Sequence, residues 1–219
     1  MLDAIIFDLD NTLLDRTRTF TTFLHKQHVR FADELVNIPV KVFVETVLKY
    51  DNNGYAAKPD MYGQACADWS IDLRDSLVND FYEHYGYNPI LNEGALELLT
   101  SLKQTYKLGL ITNGKSKGQN AKIDGAGIRN YFMSVHISEA EGVAKPDPRI
   151  FERCLQRLDI PAERAVYVGD HPDKDVAGAQ DAGLKAVWIR TPHYAEPAFA
   201  DAVINTLADL PDVLNILDA

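Results

Sequence analysis

The chain has 219 residues, 46% of them hydrophobic and 25% charged, with a formal net charge of -10. That length suits one sizeable core, or a core domain carrying a smaller insert. The acidity argues against a nucleic acid or an anionic membrane as partner, because polyanion binders need basic patches; a few local cations can still draw a small anion into a pocket.

Cys66 and Cys154 are too few and too far apart for a metal motif or a disulfide framework. No stretch approaches 18 uninterrupted apolar residues, and Met1 leads straight into the first strand without a signal sequence. A cytoplasmic protein, monomer or homodimer, is expected.

Ala4 to Phe7 is a short apolar run rich in β-branched and aromatic residues, the pattern of a strand buried on both faces. It runs into Asp8 and Asp10. Residues two apart in an extended segment point the same way. Both carboxylates are therefore expected to face one spot past the strand's C-terminal end, where open α/β sheets bind ligands. Two carboxylates about 4 Å apart repel by roughly 4 kcal/mol at an effective dielectric of about 20. A cation must sit there, or one acid must hold a proton. Taken without the rest of the chain, the same residues also suit a solvated loop at a strand end.

After Asp10 the pattern stays helical for about 70 residues. Asp15 suits an N-cap, followed by Phe20, Phe23, Leu24 and Phe31. Pro39 suits the first turn of a helix carrying Val40, Phe43, Val44, Val47 and Leu48 on one face. Asp51-Asn52-Asn53-Gly54 is a strong turn signal. Further helical stretches run from Tyr62 to Trp69 and from Leu73 to Tyr85. Four helices without an intervening strand cannot belong to a sheet layer, so residues 16–86 are expected to form a helical cap inserted into a core of residues 1–15 and 87–219.

From Pro89 strand and helix alternate. Expected strands are Leu108 to Thr112, Ser134 to Ile137, Ala165 to Gly169, Ala186 to Ile189 and Val203-Ile204. Between them lie helices over Ala95 to Leu102, from Lys115 to near Gly127, from Asp147-Pro148 through Leu158, from Asp173 to Ala182, and from Pro211. This is an α/β core, a Rossmann-like doubly wound parallel sheet with right-handed crossovers. A parallel sheet brings its strand ends to one edge, so Asp8, Asp10, Thr112 and Asp170 are expected to converge there. Lys145 stands at a helix start, where the macrodipole favours anions, and suits an anion bound between the two; an exposed loop lysine is the plainer alternative. No P-loop is present, Gly125-Ala126-Gly127 lacks a third glycine at Asn130, and no Ser/His/Asp constellation stands out. His171 lines the pocket or simply completes a loop.

Asp8-Leu9-Asp10-Asn11-Thr12, Thr112-Asn113-Gly114, Lys145-Pro146-Asp147-Pro148 and Gly169-Asp170-x4-Asp175 stand in order along the chain. Together they resemble the four motifs of the haloacid dehalogenase superfamily of phosphohydrolases, with a helical cap between the first two. The resemblance covers about 150 residues of the core, and the cap matches in position and helicity only. The wording is most similar to the branch of pyrimidine 5'-nucleotidases and acylneuraminate 9-phosphatases. His171 departs from it, since relatives often carry serine there.

The resemblance implies a Mg²⁺-dependent phosphatase acting on a small phosphomonoester, a sugar phosphate or a nucleoside monophosphate. Asp8 would attack phosphorus, and Asp10 would be acid and then base. Asp8, the Asp10 carbonyl and Asp170 would hold Mg²⁺, with Asp175 one layer out. Thr112, Asn113 and Lys145 would bind the phosphoryl group. Tyr55 and Lys58, after the cap's sharpest turn, are the expected readers of the substrate's organic part. Alternatives are a phosphomutase of the same fold and a non-catalytic protein that binds a phosphate ligand. A dehalogenase is disfavoured, because that similar branch lacks the acid at Asp10.

Overall fold

The computed structural model describes residues 1–218; Ala219, the last residue of the expected core, lies outside the described residues. The chain divides into two compact units, residues 1–16 with 89–219, and residues 17–88. Its strands are β1 (Ala4–Phe7), β2 (Lys107–Thr112), β3 (Ser134–Ile137), β4 (Ala165–Gly169), β5 (Lys185–Ile189) and β6 (Ala202–Ile204). The helices are α1 (Arg16–Arg30), α2 (Val40–Asp51), α3 (Lys58–Trp69), α4 (Arg74–His84), α5 (Ala95–Leu102), α6 (Ser116–Gly125), α7 (Ser138–Glu141), α8 (Pro148–Leu158), α9 (Gly178–Asp181) and α10 (Leu210–Leu217). Among the described residues no helix is long and apolar enough to cross a membrane.

The first unit is a six-stranded parallel sheet in the order β3-β2-β1-β4-β5-β6. Chain order reverses beside β1, so a crevice opens at its C-terminal end. Phe7 pairs with Leu110 on one side and Val168 on the other, which brings Asp8 to the edge beside both neighbours. Alternation along the strands sorts the core into two faces. Ile5 and Phe7 pack with Leu110, Val168 and the apolar stripes of α5 and α10. Ala4 and Ile6 pack with Tyr167, Trp188 and α8, whose Ile150, Phe151, Cys154, Leu155 and Leu158 are buried. As the sequence suggests, Asp147 caps α8 by accepting the Arg149 N–H.

Two local features depart from expectation. The segment read as one helix from Asp173 instead winds as a wide π-turn over Pro172–Ala177 before α9. The Asp175 carboxylate turns back to accept the His171 N–H at 2.9 Å, and the Val176 N–H reaches the His171 carbonyl five residues earlier. Gly169 makes room for this: a Cβ there would stand 2.4 Å from Asp175 Cγ. The second departure is a hydroxyl, imidazole and carboxylate in line on the edge strand. Ser134 Oγ is 2.7 Å from His136 Nε2, and His136 Nδ1 is 2.8 Å from Glu141, which also takes Arg153 at 2.9 Å. Ser134 is buried, and the set fastens β3 to α7 and α8.

The second unit contains α2, α3, α4 and nearly all of α1. Pro39 precedes α2 as its cap residue, outside the first turn, and α3 begins at Lys58 with Pro59 in its first turn. Phe20, Phe23, Phe81 and Tyr85 form an aromatic cluster with centroids 4.6 to 6.2 Å apart. A polar seam crosses this apolar core. Asp80 takes two bonds of 2.6 Å from Arg30 and one of 2.9 Å from Gln27, whose carbonyl accepts from Tyr62 at 2.6 Å. Asp51 pairs with Lys58 at 2.6 Å.

Candidate active site

Every expected site residue of the sheet unit lies at the C-terminal edge of β1, β2 or β4, on the loops that leave these strands, or, for Lys145, on the loop between α7 and α8. Lys145 is the hub. Its ammonium donates to Asp8 at 2.6 Å, Asp175 at 2.6 Å and the Tyr167 hydroxyl at 2.8 Å, which uses all three of its protons. It is 5% exposed, and the two acids outweigh burial to hold it charged well above the ordinary lysine range. Asn113 fixes its main chain from both ends, donating to the Lys145 carbonyl and accepting the Lys145 N–H, each at 2.9 Å. The Asn113 carboxamide thus fastens the loop after β2 to the loop before α8.

Seen from Asp8 the same ion pair looks different. Burial raises the Asp8 carboxyl to about 7, Lys145 pulls it back, and Asp175 and Asp10 push it up again. Lys145 is divided between Asp8 and Asp175, so it only partly offsets the burial of Asp8. Asp170 is raised to about 8, first by burial and then by Asp175 and Asp8, although it accepts a hydrogen bond from the Asn11 side chain. Asn11 adopts a left-handed conformation (φ 61°), which asparagine tolerates. The Trp188 indole holds the Asp170 carbonyl at 2.6 Å.

Asp8, Asp170 and Asp175 each offer an oxygen within 4.8 Å of one another. Three carboxylates against one lysine leave two negative charges when all are ionised. Buried, all-oxygen and doubly negative, this donor set fits a hard divalent cation. Asp175 is already engaged by Lys145, by the His171 N–H and by the Tyr167 hydroxyl at 3.2 Å, so Asp8 and Asp170 are the freer donors.

Asp10 sits in a pair of its own. Lys122 donates to both of its oxygens, at 2.8 and 2.7 Å, and Gln119 to one at 3.1 Å. Burial pushes its carboxyl up, but Lys122 and Arg16 outweigh that and hold it below the ordinary value. Gln119 also donates to the Thr112 hydroxyl at 2.5 Å, so one side chain bridges the first two motifs. Sequence reasoning passed over Gln119 and Lys122. The available signal was two polar residues one helical turn apart in α6, on a face that must bury against the sheet.

His171 has a defined place: its Nδ1 accepts the Asp173 and Lys174 N–H groups at 3.2 Å each. The ring caps the π-turn and packs on Tyr194, centroids 4.5 Å apart. Serine, with its hydroxyl acceptor, suits the same task. Tyr55 and Lys58 belong to the helical unit. Tyr55 is 52% exposed, whereas Lys58 is mostly buried on Asp51, over the Phe20 and Phe81 rings at 5.6 and 5.4 Å.

With this geometry in view, comparison with known proteins places the chain. The haloacid dehalogenase-like hydrolase family matches residues 2–183. The chain belongs to the haloacid dehalogenase-like hydrolases. A pyrimidine 5'-nucleotidase, YjjG of Escherichia coli strain K12, is 31% identical over 210 residues, covering 89% of each chain. The N-acylneuraminate-9-phosphatase of Mus musculus is 28% identical over 236 residues, covering 98% of this chain and 94% of its own. These two names match the branch suggested by the motif wording. Among solved structures, a 2-haloacid dehalogenase from Pseudomonas syringae pv. tomato DC3000 aligns with a TM-score of 0.66 at 30% identity, covering 99% of each chain.

Proposed function

We propose that this haloacid dehalogenase-like hydrolase is a cytoplasmic, Mg²⁺-dependent phosphatase that hydrolyses a small phosphomonoester through an aspartyl-phosphate on Asp8. The observation that carries the reading is the imbalance at the sheet edge, where the carboxylates of Asp8, Asp170 and Asp175 cluster and one ammonium, that of Lys145, pairs with Asp8 and Asp175. A phosphate monoester adds further negative charge, so a cation is required beside it. Asp8, Asp170 and the Asp10 carbonyl would hold Mg²⁺, which when bound supplies the positive charge that lets a dianionic phosphoryl group approach a carboxylate.

The remaining chemistry falls to the chain's own groups. An Asp8 oxygen attacks phosphorus while the ester P–O bond breaks. Lys122 and Arg16 keep Asp10 ionised in the substrate-free site. The negative phosphoryl group alongside raises its proton affinity, and the proton it then holds passes to the departing alkoxide, a role worth typically about 10²–10⁴-fold. Water then attacks the phosphorus of the acyl phosphate, its proton passes to Asp10, and the P–O bond to Asp8 breaks to free the carboxylate. Lys145 and the Thr112 hydroxyl hold the phosphoryl oxygens as the bonds loosen. Asn113 acts by holding Lys145. An acid at Asp10 serves a leaving alkoxide, whereas a departing halide needs no proton. This supports phosphatase over dehalogenase chemistry.

The relatives' names, a nucleotidase and a sugar-acid phosphatase, support phosphomonoesters as the substrate class. The test is acid quench during turnover, followed by peptide mass analysis, across a panel of sugar phosphates and nucleoside monophosphates. The expected result is phosphate release from a subset of the panel and one phosphoryl group on the peptide containing Asp8. Turnover with the phosphoryl group on another residue would contradict the reading.

A further inference from the structure

We propose that Gln119 and Lys122 form a positioning clamp that fixes Asp10 and Thr112 relative to one another, and that the step using Asp10 as base depends on it. The inference rests on the phosphatase reading and adds two residues to it. Gln119 and Lys122 are three apart on α6, so they share a face. Helical side chains lean toward the N-terminus of their helix, which here follows directly on Thr112-Asn113-Gly114. Both heads reach back to the edge of β1. Both residues are buried, at 4% and 5% exposed, on a helix whose other face is polar.

Their contacts are specific. Lys122 spans both Asp10 oxygens, and an ammonium held between two oxygens fixes the plane of the carboxylate as well as its charge. Gln119 places one N–H group on Asp10 and one on Thr112. A carboxylate offers about four lone-pair sites, and the clamp occupies three of them. Asp10 is therefore held in one orientation, with one lone-pair site left to meet the attacking water. The Thr112 oxygen accepts from Gln119, so the hydroxyl's own proton points elsewhere, available to an anion. In hydrolysis of the acyl phosphate the proton of the attacking water must reach Asp10, so a carboxylate free to rotate would meet that water less often.

The test compares Lys122→Met, Lys122→Arg and Gln119→Met with wild type and Asp10→Asn. Substrates are 4-nitrophenyl phosphate and an alkyl phosphate, with pre-steady-state release of nitrophenolate as the readout. An aryl ester leaves without a proton, so only breakdown of the intermediate needs Asp10. Lys122→Met is expected to lower kcat by about thirtyfold, a part of the full acid/base contribution. KM should hold within about twofold, and a nitrophenolate burst near one per site should appear. Lys122→Arg should restore kcat to within about fivefold, because a guanidinium also spans two oxygens. Gln119→Met, which leaves the ion pair in place, should show the same burst with a smaller loss. Loss without a burst, equal on both esters and unrelieved by arginine, would reduce the clamp to structural support and overturn the proposal. So would kcat within about threefold of wild type in both methionine variants. If Asp10→Asn accumulates intermediate and Lys122→Met does not, only the clamp fails. If wild type releases no phosphate from either ester, the phosphatase reading itself fails.

Discussion

Asp80 in the helical unit and Asp8 in the sheet unit are buried alike, at 7% and 6% exposed, and each meets a cation at 2.6 Å. The difference lies in how the charges are matched. Asp80 has the whole fork of Arg30 and an amide from Gln27, and Asp51 has Lys58. In the cap, each buried acid among the described residues has a base of its own. At the sheet edge three buried acids cluster and Lys145 pairs with two of them; burial first, and then the neighbouring carboxylates, push Asp8 and Asp170 toward neutrality. Burying a matched pair is compatible with stability alone. An unmatched cluster costs stability and is the mark of a place built for a ligand.

The sharpest break in this comparison is Asp8→Asn. It keeps the shape of the side chain and removes both nucleophile and one negative charge. We expect kcat to fall by at least about 10³-fold, roughly 4 kcal/mol, with the melting temperature unchanged or raised. Retention of a tenth of wild-type kcat would remove Asp8 from the chemistry.

A pH series on cation-free protein follows. Asp8 and Asp170 hold protons in the folded chain that an unfolded carboxylate gives up near 3.8. Stability is therefore expected to fall as pH rises from about 4 through 8. Added Mg²⁺ should raise the melting temperature more at pH 8 than at pH 5. A melting temperature flat with pH and blind to Mg²⁺ would remove the charge imbalance from the account.

Asp80→Asn probes the matched side. It leaves Arg30, itself 30% exposed at the side chain, without its carboxylate. The expected loss is about 2 kcal/mol of stability, between surface and fully buried pairs, with kcat on an aryl phosphate within about threefold of wild type. A large loss of kcat without a change in melting temperature would give the cap seam a part in the chemistry.

The smallest effect is expected at Lys58→Met. Read as a contact to the organic part of the substrate, Lys58 is worth about tenfold in kcat/KM, or 1.4 kcal/mol, on the best phosphoester, and little on an aryl phosphate. Its pairing with Asp51 adds a second readout, because a purely structural lysine would lower the melting temperature and leave the ratio of the two substrates unchanged.

The strand ends were legible because apolar runs stop abruptly at acids: Phe7 before Asp8, Gly169 before Asp170. Ser134–Ile137 and the capped start of α8 were legible from period and cap chemistry alone. What escaped is instructive. Periodicity counts apolar residues, so a helix that turns Gln119 and Lys122 inward reads as merely polar. The π-turn after Asp170 depends on Asp175 folding back onto His171 and on the space left by Gly169, contacts that one-dimensional patterns do not encode. Nor does a motif say how one lysine is divided. Asp175, expected one layer away from the cation, spends one oxygen on Lys145 and the other on the His171 N–H.

The central claim is that the unmatched acids wait for a divalent cation and hold protons until it arrives. Calorimetric titration of MgCl₂ at neutral pH, repeated in two buffers of different ionisation enthalpy, measures both at once. We expect saturable binding with release of about one proton per ion, because the carboxylates must ionise to bind, and loss of that binding in Asp170→Asn. Binding without proton release, or binding undiminished in Asp170→Asn, would contradict it.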